Sequence, residues 1–522
     1  MRRTFAAFSL SALAGAALLG ACGLVEEPTD LPAASDGAAP RREAAPSEDA
    51  GTPPLREVTT PEIVDLGSVG AGHEVTFAVP AGALGFNIVV EGTGADFGGI
   101  ERITSPSGEI VHDAYTPKGG SHATSSAASS FGPVISASVP QSEAKAANTP
   151  EPGTWTVRFG HTGAAPPIDA GDDDGGVGPA TLKASVRIQM GSVQGGAFIG
   201  GRLDLRVYVP GGLRLDGRRL SAVDAETDEA VERRIATFFA ALAQQVGIER
   251  GEVTFHAAAP LLAFIDSEQS LLEGFAVSSS RPDEQALHLL LTNAIDFGDG
   301  FGAWGIAPAI PGAATRTGTV SSGIILAIGD TPAVGDGLTV LHEAGHFFGL
   351  NHTTELYGGY ADPLADTPKC NGISIDDPGT WNDCPDRYNI MFPAFYGFAG
   401  TQAEVSEAQR KIFRGSPIYK AYKTPADGTM ASRREALARP GDRITLTKSG
   451  RALTPVEAWL SSALCAHPSH AKLDPNGYAA THGRAQTIAA LEDAARAEDL
   501  PQIIRRRARA ALRAIAAREA PH

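Results

Sequence analysis

The alternation of hydrophobic and polar residues changes several times along the chain, and each change predicts a different kind of structure. Residues 5–21 carry no charge, which suits the apolar core of a signal peptide and is short for a membrane span. Residues 23–60 are rich in Pro, Ala and acidic residues and poor in large apolar ones, so they bury too little surface to offset the entropy of ordering. We therefore expect a signal sequence over 1–21 and a disordered tether over 22–60.

Short alternating runs follow the tether. Hydrophobic residues occupy every second position at Val75, Phe77 and Val79, and again at Leu182, Ala184, Val186 and Ile188. This period of two predicts strands with one buried face, and several such strands between turn residues are typical of an all-β sandwich or jelly roll. The sequence therefore predicts a β-sandwich accessory domain over 61–190.

The region from 195 to 423 mixes strand-like and helix-like patterns. Apolar residues alternate over 203–209, as in a half-buried strand, and form uninterrupted runs over 287–291 and 323–328, as in strands buried on both faces. Helical patterns lie between these runs. We expect one α/β or α+β domain here.

Two segments have a helical period. Over 231–246 apolar residues recur every three or four positions, with Asp224 or Thr227 as the candidate cap and Gly247 as the candidate end. The segment 424–522 contains a capping box and Ala-rich stretches, which predicts a small helical C-terminal region. Its arginine-rich helix would suit a membrane surface, but we favour the solvated face of a helical hairpin.

Composition limits the classes of partner. The chain has 43 Lys and Arg against 60 Asp and Glu, a formal net charge of −17, whereas binding nucleic acid requires a positive surface that neutralises phosphates. We therefore expect no nucleic-acid partner. Four Cys among 522 residues exclude a disulfide-dense scaffold.

The strongest chemical signal lies between His342 and His352, which have the sequence HEAGHFFGLNH. On a helix, which Asp336 is expected to cap, His342 and His346 share one face, so both imidazoles can reach one ion. Gly349 can adopt positive φ and turn the chain back to bring His352 in as a third ligand. Three imidazoles leave one coordination position open, as in a catalytic zinc site.

This motif, followed by Asn389-Ile390-Met391, resembles the signature of the metzincin metalloproteases. The stretch Asp366-Thr367-Pro368 and the pair Cys370 and Cys384 are similar to the pappalysin branch. The resemblance covers about 200–423, including an edge-strand region at 293–312. The predicted fold class is thus multidomain, with an all-β sandwich, an α/β (α+β) metzincin-like catalytic domain and a small α-helical C-terminal region.

The resemblance implies a role for each matched residue. Zn²⁺ would be bound by the three histidines, Glu343 would act as general base and then general acid, and Met391 would form an apolar floor below the site. The family's tyrosine position is Pro393 here, which leaves Tyr396 and Tyr388 as candidates for stabilising the oxyanion.

The resemblance also has implications for the loop between the third histidine and Met391. Asp366 and Thr367 could bind a structural Ca²⁺, and a capped turn is the equally favoured alternative. Cys370 and Cys384 enclose a short loop, and a disulfide between them would stabilise the protein by about 3 kcal/mol. Cys465 would then be a free thiol.

The residue pattern at the N-terminus predicts where in the cell the protein is located. Leu19-Gly20-Ala21-Cys22 resembles a bacterial lipobox, in which Cys22 is lipidated and becomes the first mature residue. Gly23 stands where inner-membrane retention would place an Asp, so the resemblance favours the outer membrane. We expect an exported protein of the bacterial cell envelope that is attached to the membrane by lipid alone.

Together these features predict a zinc-dependent endopeptidase that acts on proteins or peptides outside the cytoplasm. The alternative is a surface-anchored binding or adhesion lipoprotein whose protease-like domain is inactive or has a single target. The intact Glu343 and the three histidines favour the enzyme.

Overall fold

The computed structural model is mixed α/β, with strands in several sheets and few helices. It describes residues 57–70, 72–92, 98–113, 134–142, 147–161, 182–191, 198–298, 301–328, 333–354, 362–370, 384–393 and 404–423, and parts of 479–516. The predicted signal sequence, Cys22, nearly all of the tether, Tyr396 and Cys465 lie outside these residues.

The first eight strands form two antiparallel sheets, here called the two-sheet unit (62–190). The strands are β1 (Glu62–Val69), β2 (Glu74–Val79), β3 (Ala83–Gly92), β4 (Gly98–Thr104), β5 (Ile110–Asp113), β6 (Val134–Val139), β7 (Gly153–His161) and β8 (Leu182–Met190). Their orders are β1-β8-β3-β6 and β2-β7-β4-β5. The predicted alternation is confirmed, because Phe86, Ile88 and Val90 of one sheet share a buried cluster with Trp155 and Phe159 of the other.

The rest of the described chain is organised around a mixed sheet. The strands are β9 (Gly201–Pro210), β10 (Arg214–Leu215), β11 (Arg218–Arg219), β12 (Ile248–Ala258), β13 (Phe264–Ile265), β14 (Leu287–Thr292), β15 (Ala294–Gly298), β16 (Phe301–Ala303), β17 (Gly305–Ile306), β18 (Gly323–Ala327) and β19 (Lys420–Ala421). The sheet has the order β12-β9-β14-β18-β17, with β19 paired to β9. Strands β12, β9, β14 and β18 are parallel, and β17 is antiparallel to β18.

The helices are α1 (Ala222–Thr227), α2 (Glu229–Val246), a 3-10 helix (Pro260–Ala263), α3 (Glu268–Phe275), α4 (Ala333–Phe348), α5 (Glu407–Gly415) and α6 (Arg484–Arg496). The predicted helix over 231–246 is confirmed, and Gly247 ends it in the left-handed region. The predicted cap is wrong. Asp228 caps α2, because Asp224 belongs to the capping box of the short helix α1, in which Ser221 is the cap.

The helices and the sheet bury one large hydrophobic cluster. It joins β9 residues such as Leu205 to Phe238 of α2, to Phe347 of α4 and to Phe413 of α5. The described part of the C-terminal region is helical, with a small cluster of its own that includes Leu491 and Ile515. None of the described helices is both long and apolar enough to span a membrane.

Candidate metal centre

Helix α4 carries the first two histidines, and its end determines where the third one lies. Gly349 has φ +114°. Its N–H donates to the carbonyl oxygen of His346 over 2.9 Å, and the N–H of Leu350 donates to that of Gly345 over 2.9 Å. These two bonds form a Schellman motif, which ends a helix with a left-handed residue. The chain therefore reverses at Gly349 and brings His352 back beside the helix.

The structure brings the three predicted ligands together. The Nε2 atoms of His342, His346 and His352 lie 3.1 to 3.2 Å from one another. Three imidazoles bound to one tetrahedral zinc ion at 2.0 to 2.1 Å would have Nε2 atoms about 3.3 Å apart. These histidines form a group that could hold a metal ion.

Hydrogen bonds to the other ring nitrogens determine the tautomers. Nδ1 of His342 lies 2.7 Å from the carbonyl oxygen of Ile390, and Nδ1 of His346 lies 2.7 Å from that of Leu350. A carbonyl oxygen only accepts, so each Nδ1 carries the proton and each Nε2 presents a lone pair. Facing lone pairs repel one another at this distance, whereas a cation between them would be bound by both. The donor set therefore fits a divalent metal ion.

Burial favours the same protonation state. Desolvation, helped by the nearby rings of His352 and His342, lowers the pKa of His346 well below its usual value. Neutral imidazole is the form that binds metal.

Glu343 lies beside these ligands and is only 1% exposed. A β-carbon at Gly305 in β17 would lie 2.6 Å from Cγ of Glu343 and 2.8 Å from its Oε1. The absence of a side chain at Gly305 therefore lets the strand pass directly against the glutamate. Strand β17, the last strand of the described mixed sheet, therefore runs beside Glu343 and next to the three histidines.

Met391 lies on the other side of α4. A β-carbon at Gly345 would lie 2.4 Å from its sulfur, so Met391 packs against the helix between the two histidine ligands. Asn389 holds this turn: its Oδ1 accepts from the N–H of Met391 over 2.9 Å, and its amide exchanges two hydrogen bonds with Gln409 of α5, at 2.9 and 3.0 Å. Gln409 belongs to the capping box of Ser406 at the start of α5, and the sequence did not indicate its hydrogen bonds to Asn389.

Asp336 does not cap α4, because the helix begins at Ala333 and places Asp336 in its first turn. Its carboxylate is buried and forms a salt bridge with Arg234 of α2. This pair joins the helix that carries the histidines to the neighbouring helix.

Cys370 and Cys384 form a disulfide with a Cα–Cα distance of 4.9 Å, as the sequence predicted. Cys384 is fully buried. The bridge connects the segment after the third histidine to the segment that leads into Met391.

Asp366 and Thr367 have different hydrogen-bond partners, and the calcium site predicted for them stays a prediction. The carboxylate of Asp366 accepts hydrogen bonds from Ser406 Oγ at 3.0 Å and from the N–H of Ala408 at 2.9 Å, so it lies at the start of α5, where a negative charge is stabilised. Thr367 donates to Oδ1 of Asp362 over 2.6 Å.

Among the described residues of this loop, the buried carboxylates are those of Asp362 and Asp386, which the sequence did not single out. Asp386 accepts from Thr354 Oγ1 over 2.6 Å. Burial raises the pKa of Asp362 to about 7, with the Thr367 hydrogen bond opposing the shift and Asp386 adding to it. Oδ2 of Asp362 and Oδ1 of Asp386 have no hydrogen-bond partner among the described residues.

The two tyrosine candidates have different outcomes. Tyr388 is half-buried, and the guanidinium of Arg387 lies 4.5 Å from its ring centre. Tyr396 lies outside the described residues. The assignment of an oxyanion stabiliser therefore stays a prediction.

The similarity of this chain to known proteins is distant. No family model and no curated protein matches the chain. Among solved structures, it is similar to metalloproteinase-II from Bacteroides fragilis at 15% sequence identity, with a TM-score of 0.21. The match covers 32% of this chain and 48% of that one, so the chain spans about half the length of that protein. Similarity at this level does not assign the chain to a family.

Proposed function

We propose that the chain is a zinc-dependent endopeptidase of the metzincin type, similar to the pappalysin branch. One observation carries this proposal: three Nε2 atoms meet within 3.2 Å beside a buried glutamate. His342, His346 and His352 would hold the ion, and the carbonyl oxygens of Ile390 and Leu350 would orient the first two rings.

A zinc ion held there would supply a Lewis acid for the attacking water and the peptide carbonyl. Glu343 would take the proton that water loses as its oxygen bonds to the carbonyl carbon. When the carbon–nitrogen bond breaks, Glu343 would deliver the same proton to the leaving amine. Its burial suits this role, because electrostatic interactions that stabilise the developing charge are stronger where water is excluded.

The substrate would bind along β17. This strand is the last in the described mixed sheet and touches Glu343 at Gly305. An extended peptide could pair with the edge of β17 that faces away from β18 through backbone hydrogen bonds, which would place a peptide bond beside the glutamate. The sequence of the peptide would then matter less than its ability to adopt an extended conformation.

Two further parts of the proposal rest on the sequence. The N-terminus would carry lipid on Cys22 and attach the protein to the bacterial envelope, most simply the outer membrane. A Cys22→Ser variant should then lose labelled fatty acid and leave the membrane fraction. The other part is a structural Ca²⁺ at Asp366 and Thr367, where Thr367 donates a hydrogen bond to the buried carboxylate of Asp362.

Peptide cleavage by the purified full chain tests the enzymatic function. We expect one zinc per chain, cleavage of an unstructured protein such as casein, and loss of cleavage with a chelator. A Glu343→Gln variant should bind the same amount of zinc and lose at least about a thousandfold in rate, because it keeps the shape and removes the base. Bound zinc without any cleavage of a broad peptide library would support the binding-protein alternative. A chain that binds no zinc would contradict the metal site.

A further inference from the structure

We infer that the two-sheet unit is a fixed part of the metal centre, in which the main chain of Ser142 and the side chain of Asn351 position the turn that leads to His352. This inference rests on the metal site of the proposed function.

The first observation is a buried polar face on the sheet β1-β8-β3-β6. Side chains alternate across a strand, and Phe86, Ile88 and Val90 of β3 face the core of the unit. Asn87 and Val89 therefore face away from that core, yet they are at most 1% exposed. A sheet of a freely tethered accessory module would expose this face to water. Here another part of the chain covers it.

The cover is the segment 311–321, which connects β17 to β18. Nδ2 of Asn87 donates to the carbonyl oxygen of Gly312 over 3.4 Å, and its Oδ1 accepts from the N–H of Ala314 over 3.3 Å. Ser136 in β6 donates to the carbonyl oxygen of Pro311 over 2.8 Å. The two-sheet unit thus supports the segment that follows the proposed substrate strand.

Three further interactions join the two-sheet unit to this segment. Arg187 donates a hydrogen bond to Thr315 at 3.0 Å, Ser321 donates one to the carbonyl oxygen of Val134 at 3.0 Å, and Glu91 forms a salt bridge with Arg316 at 2.8 Å.

The same segment touches the end of helix α4. The N–H of Gly312 donates to the carbonyl oxygen of Phe347 over 2.9 Å. A β-carbon at Gly312 would lie 2.2 Å from the ring of Phe347, so the segment packs against the helix with no room for a side chain at this position. Movement of the two-sheet unit would therefore be transmitted to the last turn of the helix that carries His346.

The second contact is made by the chain that leaves β6, and it reaches the turn itself. The N–H of Ser142 donates to the carbonyl oxygen of Gly349 over 2.9 Å, and Nδ2 of Asn351 donates to the carbonyl oxygen of Ser142 over 3.0 Å. Gln141 also lies against Gly349, where its Cβ would be 3.4 Å from an added β-carbon. The main chain of Ser142 is thus hydrogen-bonded to Gly349 and to Asn351, the residues before and after Leu350.

This position matters for two ligands. The carbonyl oxygen of Leu350 accepts from Nδ1 of His346, and His352 follows Asn351 directly. A displaced turn would therefore misalign one imidazole and weaken the hydrogen bond that orients another. Neither Ser142 nor Asn351 touches the metal position, so both act through the ligands, and removing such outer contacts typically weakens metal binding by 10- to 100-fold.

Cobalt binding by the metal-free full chain tests the inference, because Co²⁺ reports on ligand geometry through its visible absorption. Asn351→Ala removes one of the two hydrogen bonds. We expect the dissociation constant for Co²⁺, measured by competition with a chelator, to rise about tenfold or more. The absorption band should change in intensity, because the ligand geometry is altered. Ser142→Pro removes the other donor and should have an effect of the same kind.

Ser105→Ala is the matched control. Ser105 lies in the turn that follows β4 of the other sheet, where its hydroxyl bonds Ser107 Oγ at 2.8 Å and accepts from the N–H of Glu109 at 3.2 Å. This variant should lower the melting temperature of the metal-free protein and leave the Co²⁺ constant and spectrum unchanged. The inference is overturned if Asn351→Ala and Ser142→Pro lower the melting temperature but keep the Co²⁺ constant within twofold of the native value. A native chain that binds no Co²⁺ overturns both proposals, whereas a chain that binds Co²⁺ and cleaves no peptide overturns only the proposed function.

Discussion

Gly305 and Glu343 are in direct contact: a β-carbon on the glycine would lie 2.6 Å from Cγ of the glutamate. A substitution that adds a side chain at Gly305 of β17 therefore also affects the position of Glu343, the proposed general base. An alanine at Gly305 must push Glu343 away from its present position or shift the strand.

We expect Gly305→Ala to lower kcat/KM about a hundredfold while zinc remains bound at one per chain, because small misplacements of a reacting group have effects of this size. Gly335→Ala is the control, since an added β-carbon there meets nothing within 4 Å. Equal kinetic parameters for Gly305→Ala and the native protein would show that the contact has no effect on catalysis.

Met391 should be energetically coupled to Gly345. Alanine at Gly345 places a β-carbon 2.4 Å from the sulfur of Met391, and overpacking of this kind costs about 1 to 3 kcal/mol. Met391→Ala alone leaves a cavity and costs about 2 to 5 kcal/mol. In the double variant the new methyl group occupies part of that cavity, so the loss should be smaller than the sum of the two. Urea unfolding of the metal-free proteins measures this coupling, and strictly additive losses would contradict the packing.

The buried carboxyl of Asp362 should make stability depend on pH. Its pKa is about 7 in the folded protein against an ordinary value of 3.8, so the folded state holds the proton over a range in which the unfolded state has lost it. The stabilising contribution is therefore complete below about pH 4 and is lost as pH rises to about 7, with a limit of about 4 kcal/mol.

Asp362→Asn should remove this contribution to the pH dependence. The measurement is the free energy of unfolding at pH 5 and pH 8, in the presence of a calcium chelator. We expect the native protein to lose more stability between these pH values than the variant. Equal losses in both proteins would mean that Asp362 ionises normally. If added Ca²⁺ restores the stability of the native protein at pH 8 but not that of the variant, a calcium site that includes Asp362 gains support.

The disulfide between Cys370 and Cys384 should stabilise the segment between His352 and Met391. Replacing both cysteines by serine should lower the free energy of unfolding by about 3 kcal/mol, with part of the loss coming from a buried hydroxyl at the fully buried position of Cys384. Cys465→Ser provides the control, because that cysteine is not needed for the bridge. A double variant as stable as the native protein would show that the bridge does not constrain this segment.

Much of the local structure was predictable because it depends on residues close together in the sequence. Gly247 ends α2, as its position in the sequence indicated. The cap of α2 was predicted wrongly, as Asp224 or Thr227 instead of Asp228. Two helices meet here where the pattern predicted one, and several nearby Asp, Ser and Thr residues are suitable caps. The alternation of apolar and polar residues predicted the strands of the two-sheet unit. It did not predict their order in the sheets, because strand pairing joins residues far apart in the chain.

The sequence by itself determined which residues carry the candidate chemistry, because two histidines four residues apart share one face of a helix whatever surrounds it, and the glutamate is the neighbour of the first. Only the tertiary structure decided how these side chains are held. The proton on His342 is directed by the carbonyl oxygen of Ile390, Gly305 brings a strand against Glu343, and Ser142 reaches the turn at Gly349 from the two-sheet unit. Each of these contacts uses the backbone of a segment that is distant in the sequence, and backbone atoms are the same at every residue. No residue pattern can therefore indicate them before the chain has folded.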